Sequence, residues 1–207
     1  MDEPGLRERK KAATRQRISD VATGLFVARG FDNVSVAEVA EAAEVAKMTV
    51  FNYFPRKEDL LLDRGPELIG LVTDAIRNRE PGRSPLAALH RLFTDLARQR
   101  HPASGVRDGV QTFYRTVLNS PALLARVREQ RENMEQVLAG LLAEATGTAA
   151  DAPGTVLLAM WTVGVYRTVY VTSARRILAG EHSDDILPDH LAQLDHAFAA
   201  LSRARLC

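Results

Sequence analysis

A chain of 207 residues, 46% hydrophobic and 26% charged, is too apolar to stay disordered. It is long enough to bury a real core, as one large domain or as a small domain joined to a larger one. The formal net charge of +1 says nothing by itself about nucleic acid, because an even balance can hide a local patch. Such a patch stands near the start: Arg7, Arg9, Lys10, Lys11, Arg15 and Arg17 are opposed in that stretch only by Glu8.

Cys207 is the only cysteine, which excludes an intrachain disulfide framework and a multi-cysteine metal site. The N-terminus lacks an apolar core of about 7–15 residues, so no secretory signal is expected. The longest apolar run, from Thr155 to Tyr166 and closed by Arg167, is shorter than the about 20 residues of a membrane span. A cytoplasmic protein without a membrane partner is expected.

No stretch keeps a β-branched alternation, whereas apolar residues recur at three and four throughout, so the fold class is all-α. Ile18, Val21, Ala22, Leu25 and Phe26 form one helical stripe and Gly30 stops it, which predicts a helix over about 6–29. The run Ser35, Val36, Ala37, Glu38 reads as a capping box that opens a second, short helix, whose stripe of Val36, Val39, Ala40 and Ala43 ends by Glu44. After a tight turn, Lys47 to Tyr53 resumes helical spacing with Val50 and Phe54 one turn apart, until Pro55 forbids continuation. A fourth helix is expected from near Arg56 to Arg79, with Glu58 and Asp59 in its first turn and a kink or break at Gly65 and Pro66. Residues 80–85 read as a loop, followed by helices at about 85–100, 106–119, 121–146, 153–180 and 186–205.

Two short helices joined by a tight turn behind a longer supporting helix make a helix-turn-helix, whose second helix enters the major groove. With Val50 and Phe54 facing inward, Lys47, Thr49, Asn52 and Tyr53 face the groove or its walls. Lysine can donate to guanine, asparagine can bind adenine through two bonds, and threonine suits a thymine methyl or a phosphate.

Between Arg17 and Leu61 the pattern IxxxAxxLFxxxGFxxxSVxEVAxAAxVxKxTVFNYFPxKEDLL resembles the DNA-binding domain of the tetracycline-repressor (TetR) family. The resemblance covers about a quarter of the chain; the remainder is similar to the family only in helical architecture. It implies a DNA-binding domain over 1–56 and a ligand-binding and dimerisation domain over 57–207. It further implies that Ser35 binds a phosphate, that Lys47, Thr49 and Asn52 approach bases, and that Tyr53 and Lys57 hold the DNA backbone. Met48, where the family often has glycine, either touches a thymine methyl or covers the backbone. Three positions depart from the pattern. Phe51 replaces a common tyrosine and cannot donate to phosphate. Glu44 replaces a turn glycine, so it must adopt positive φ or shift the turn. Ala46 forgoes a polar cap contributing about 0.5–2 kcal/mol.

In the last helix Leu187, Leu191, Leu194, Phe198 and Leu201 repeat as a narrow seam of the kind used between bundle helices. Ala159, Gly164 and Ala174 in the helix before it are small enough for close approach. These two helices are expected to pair with their copies in a homodimer, which presents two reading helices about 34–36 Å apart to a palindromic operator. Phe113, Tyr114, Trp161, Tyr166 and Arg167, with Met134, Met160, Tyr170 and Arg115, are the candidate lining of a small-molecule site.

The expected function is thus a ligand-responsive regulator of double-stranded operator DNA. Repression is the family's usual mode, so the expected effect of the small molecule is release. Two alternatives stand beside it: a helical-bundle enzyme and a ligand-independent DNA binder. The five histidines show no i,i+3 or i,i+4 pair and no Glu-x-x-His, and no Gly-rich phosphate loop occurs. No catalytic residues, metal or cofactor are expected.

Overall fold

The computed structural model describes residues 5–204, so Cys207 lies outside the described residues. Among them no strand occurs, and the helices are α1 (Leu6–Arg29), α2 (Val36–Ala42), α3 (Lys47–Tyr53), α4 (Gly65–Arg77), α5 (Pro85–Arg98), α6 (Gln111–Asn119), α7 (Pro121–Thr146), α8 (Pro153–Leu178) and α9 (Ser183–Arg203). Single 3-10 turns cover Lys57–Leu60 and Pro102–Ser104. The chain divides into two compact units, one holding the residues up to Asp63 with Arg115–Val127, the other Arg64–Tyr114 with the residues from Arg128 onward. The first unit therefore runs past 56 and takes in a second segment that no local motif marks.

In the first unit α1 buries Ile18, Ala22 and Phe26 on one stripe, as the 3.6-residue period requires. Gly30, at φ 84, ends the helix and donates its N–H to Phe26. The chain then turns so that the Phe31 ring lies 4.9 Å from that of Phe26. Burying one such aromatic ring contributes about 1.5–3 kcal/mol. The capping box at α2 is fully formed: Glu38 N–H donates to Ser35 Oγ at 3.2 Å and Ser35 N–H to Glu38 Oε2 at 2.8 Å. The segment 115–127 is fastened to the same unit by Arg126 Nε donating to Asp59 Oδ1 at 2.8 Å and Ser120 Oγ donating to Asp32 at 3.4 Å.

The turn between α2 and α3 accommodates Glu44 without shifting. Val45 N–H returns to Ala40 O at 3.0 Å and Glu44 N–H to Glu41 O at 3.0 Å, the paired bonds of a Schellman ending. That geometry demands a left-handed residue, and Glu44 supplies it at φ 52. The same ending closes α5, where His101 N–H reaches Leu96 O, Arg100 N–H reaches Ala97 O, and Arg100 sits at φ 53. No side chain caps α3 at Ala46.

The second unit assembles α4, α5, α7, α8 and α9 around one core that includes Val72, Leu89, Phe93, Leu138, Leu142, Ala159, Leu194 and Phe198. A neighbouring cluster joins Val106, Tyr114, Ala174, Ile177 and Ile186, with Phe113 and Tyr170 packed against it. Three expectations are corrected here. The helix expected from Arg56 is a 3-10 turn, and α4 starts only at Gly65, because Pro66 in the first turn lacks an N–H that would be unsatisfied anyway and so begins a helix rather than kinking one. Helix α6 begins at Gln111 instead of 106, since Gly105 and Gly109 both hold positive φ. The leucine seam of α9 is not free for a second subunit, because Leu194, Phe198 and Leu201 are buried against their own chain, as are Ala159 and Ala174 of α8.

Glycine at position 44 would relieve the left-handed strain, worth about 1–2 kcal/mol, while keeping both turn bonds. Glu44→Gly is expected to raise Tm by roughly 2–8 °C with DNA affinity retained, as read by thermal unfolding and anisotropy.

Candidate nucleic-acid interface and apolar cavity

Helix α3 is only seven residues long, too short to persist alone. It is held by Val50 and Phe54, both buried, and by Arg15 of α1. The Arg15 guanidinium lies 4.4 Å over the Phe54 ring and donates from Nη1 to Tyr53 O at 3.4 Å. At 100° per residue, the face opposite Val50 and Phe54 carries Met48 and Asn52, flanked by Lys47 and Phe51 on one side and by Thr49 and Tyr53 on the other. Lys47, Met48, Phe51 and Asn52 are exposed, while Thr49 and Tyr53 are half-buried. Met48 is 68% exposed and Phe51 37%, so two apolar side chains share the face with one amide and one ammonium.

This face can hydrogen-bond a base edge through Asn52 and Lys47 and can cover thymine methyls with Met48 and Phe51. The Phe51 ring can pack but cannot donate to phosphate. Its ring is exposed on the outer face, with Lys47 Nζ 6.0 Å from the centroid. The 100° step per residue of the helix, and not the missing hydroxyl, places this ring on the outer flank. Ser35 is exposed at the start of α2, where its Oγ accepts from Glu38 N–H and its hydroxyl also stabilises the Glu38 carboxylate.

Lys57 is placed differently from the expectation that it holds the DNA backbone. Its Nζ donates to Phe31 O at 2.6 Å and sits 4.2 Å from the Phe31 ring centroid. Burial pulls its pKa down against the pull of Asp32 and other nearby carboxylates. In this structure Lys57 ties the segment after α3 to the end of α1.

In the second unit an apolar cavity of about 20 Å3 is lined by Leu68 and Val72 of α4, Leu89 and Phe93 of α5, Met134 and Leu138 of α7, and Thr162, Val163 and Tyr166 of α8. Tyr166 stacks on Phe93 with ring centroids 4.0 Å apart, and its hydroxyl donates to Ala103 O. Burial pushes the Tyr166 phenol well above its usual range, so it stays a neutral donor. Of the nine residues named as candidate lining, Met134 and Tyr166 border this cavity. Tyr114 and Phe113 belong to the neighbouring cluster, linked by the Tyr114–Tyr170 and Tyr166–Tyr170 ring contacts. Trp161, 44% exposed, and Arg167, exposed, point away from the cavity. Thr162 and Leu68, which are not aromatic, line it as well, because which side of a helix faces inward depends on neighbours distant in sequence.

Among the described residues no group of three His, Cys, Asp or Glu side chains could hold a metal ion. His190 is buried on Ser173, with Nδ1 to Oγ at 2.8 Å, and His90 pairs with Asp195 at 2.7 Å. No helix of the described residues is long and apolar enough to cross a membrane.

A short helix pair at a tight turn, with the second helix presenting an amide, an ammonium and apolar tips outward, defines a helix-turn-helix DNA-binding protein. Comparison with known proteins narrows this. Residues 18–63 match the model for bacterial regulatory proteins of the tetR family, and residues 83–204 match the model for the MftR C-terminal domain. The chain is 34% identical to the HTH-type transcriptional regulator TcmR of Streptomyces glaucescens over 151 residues, 72% of this chain and 67% of that one. It is 30% identical to the transcriptional regulator MftR of Mycobacterium tuberculosis over 172 residues, 78% of this chain and 80% of that one. Among solved structures, the TetR-family transcriptional repressor FadR of Thermus thermophilus, in complex with lauroyl-CoA, is similar with a TM-score of 0.51 and 27% identity, covering 88% of this chain and 94% of that one. The chain belongs to the TetR family of transcriptional regulators.

The capping box carries a pH dependence. The Ser35 backbone N–H, then the Arg29 guanidinium at 2.7 Å and the Ser35 hydroxyl, hold the Glu38 carboxyl down from 4.5 to about 2. A depressed folded-state pKa contributes stability that is fully present above the unfolded value and is lost as pH falls through the folded one. The Tm advantage of the wild type over Glu38→Gln should thus be constant at neutral pH and shrink between about pH 5 and pH 2, as followed by circular dichroism.

Proposed function

We propose that the protein is a repressor that binds a palindromic operator as a homodimer and leaves it when a small apolar effector enters the second unit. The observation that carries the reading is the outward face of α3, where Lys47, Met48, Phe51 and Asn52 stand exposed on a helix whose other side is locked by Val50 and Phe54. Lys47, Asn52 and Thr49 are the base-approaching groups. The hydroxyls of Ser35 and Tyr53 reach phosphates on either side, fixing register without reading sequence. No step of this function is catalytic.

The effector reading rests on the cavity's composition and size. Its lining carries no ionisable side chain other than the neutral Tyr166, and the hydroxyl of Thr162 is already bonded to Leu158 O at 2.7 Å. An apolar chain or flat ring suits it better than an ion. The space present is about that of one water, whereas ligand sites span about 300–1,000 Å3. A ligand therefore enters only by parting the helices, and α4, which contributes Leu68 and Val72, follows the reading unit in the chain after a four-residue gap beyond Leu60. Binding that favours a displaced α4 shifts the population away from the DNA-binding state by the difference in its affinity for the two. The acyl chain of the lauroyl-CoA held by Thermus thermophilus FadR has this chemistry.

Dimerisation is assigned to the outer face of α8. Leu157, Met160 and Trp161, 40%, 46% and 44% exposed, lie at i, i+3 and i+4, and Gly164 continues the stripe with open space where a side chain would stand. Such an exposed apolar face is uncommon on a monomer.

In an anisotropy titration against the DNA flanking its own gene, Asn52→Ala is expected to weaken specific binding by about 1–3 kcal/mol and to narrow the gap to random duplex. Dodecanoyl-CoA should lower wild-type affinity for the specific duplex and leave binding to random duplex unchanged. No saturable binding to any segment of that DNA would overturn the reading. In sedimentation, Met160→Glu with Trp161→Arg is expected to be monomeric where the wild type is a dimer, and to lose affinity for the two-half-site duplex by more than tenfold.

A further inference from the structure

Six cations stand between Arg7 and Arg17 against one carboxylate, and the reading face of α3 gives them no part. Their placement on α1 does. The helix buries Phe26, Ala22 and Ile18 on successive turns toward its N-terminus, and the same three-and-four step then reaches Arg15, Lys11 and Arg7. Arg15 is the last of the stripe to touch protein: it holds Tyr53 O, donates from Nη2 to Asp63 O at 3.3 Å and covers Phe54. Lys11 and Arg7 are exposed. The face that forms the core thus turns cationic where it passes the C-terminal end of α3, and at 1.5 Å per residue it runs on by about 6 Å to Lys11 and about 12 Å to Arg7.

This arrangement is unfavourable for the free helix. Cations in the first turns oppose the helix dipole, and Arg7 with Lys11, then Lys11 with Arg15, are like charges four residues apart. A polyanion laid along the stripe reverses both effects. A duplex fits better than an anionic lipid surface, because the turns around Arg7 and Lys11 offer one leucine, Leu6, and the small Ala12 and Ala13 as apolar neighbours, too little to insert into a bilayer. Arg15 moreover fastens the stripe to the end of the helix that reads bases.

We propose that Arg7 and Lys11 bind phosphates of duplex DNA flanking the base pairs that α3 reads, extending the footprint of each protomer beyond its half-site. The proposal rests on the helix-turn-helix reading above. It is tested with the full chain and a duplex of about 40 base pairs that the protein itself selects from a random library, by measuring Kd against salt concentration. Arg7→Gln with Lys11→Gln is expected to lower the slope of log Kd against log salt by about two per protomer and to leave the ranking of operator base changes intact. Trimming the duplex to the palindrome should bring wild-type affinity down to that of the variant. Arg107→Gln with Arg128→Gln, which removes the same charge from the other unit, should keep the wild-type slope, and no Tm should fall.

An unchanged slope in the α1 variant, an equal fall in the control, or loss of binding to vesicles containing phosphatidylglycerol with the DNA slope intact overturns the proposal. A wild type that selects no duplex overturns the DNA-reading assignment as well, which separates the two failures.

Discussion

Everything that α3 presents depends on the burial of Val50 and Phe54 under Arg15 of α1. A seven-residue helix forms too few internal bonds to repay its nucleation, so its outward side chains have a fixed direction only because its inward ones are locked. The Phe54 ring is sealed on one side by the core and on another by the Arg15 guanidinium, 4.4 Å from its centroid. Arginine suits that position because its planar group stacks on the ring while its N–H groups still reach two backbone carbonyls, Tyr53 O and Asp63 O. One side chain thereby closes the supporting helix onto both ends of the segment that follows the reading helix.

The departures from the family pattern are absorbed locally. Glu44 takes the left-handed conformation and both turn bonds form, so the strain stays within one residue. Ala46 leaves α3 without a side-chain cap, and tertiary burial at Val50 and Phe54 substitutes for it. Lys57, bonded to Phe31 O, strengthens the hinge between α1 and α2 rather than reaching outward. A lysine's long stem makes either outcome available from the same sequence position, and the electron-rich Phe31 ring and carbonyl decide between them.

The second unit keeps its polar groups out of its middle. Tyr166 sends its hydroxyl to Ala103 O while its ring faces Phe93. This divides the unit into an apolar cavity on one side of that ring and a tyrosine-rich cluster around Tyr114 and Tyr170 on the other. Among the described residues of this unit the large apolar side chains left exposed lie on α8, at Leu157, Met160 and Trp161, and not on the leucine-rich face of α9, where Leu194, Phe198 and Leu201 are buried.

By itself the sequence determined the local features: the ends of α1, the capping box at Ser35 and Glu38, the two inward residues of α3 and the all-helical class. These depend on groups within about one or two helical turns of each other, whose bonding a short stretch specifies completely. Tertiary structure alone decided the rest. The periodicity of α9 announced an apolar seam but could not say whether α5 and α8 or a second chain would cover it. The list of aromatics announced a lining but could not say which would face α4. Nor could any local pattern attach residues 115–127 to the reading unit, because Arg126 finds Asp59 across 67 positions of sequence.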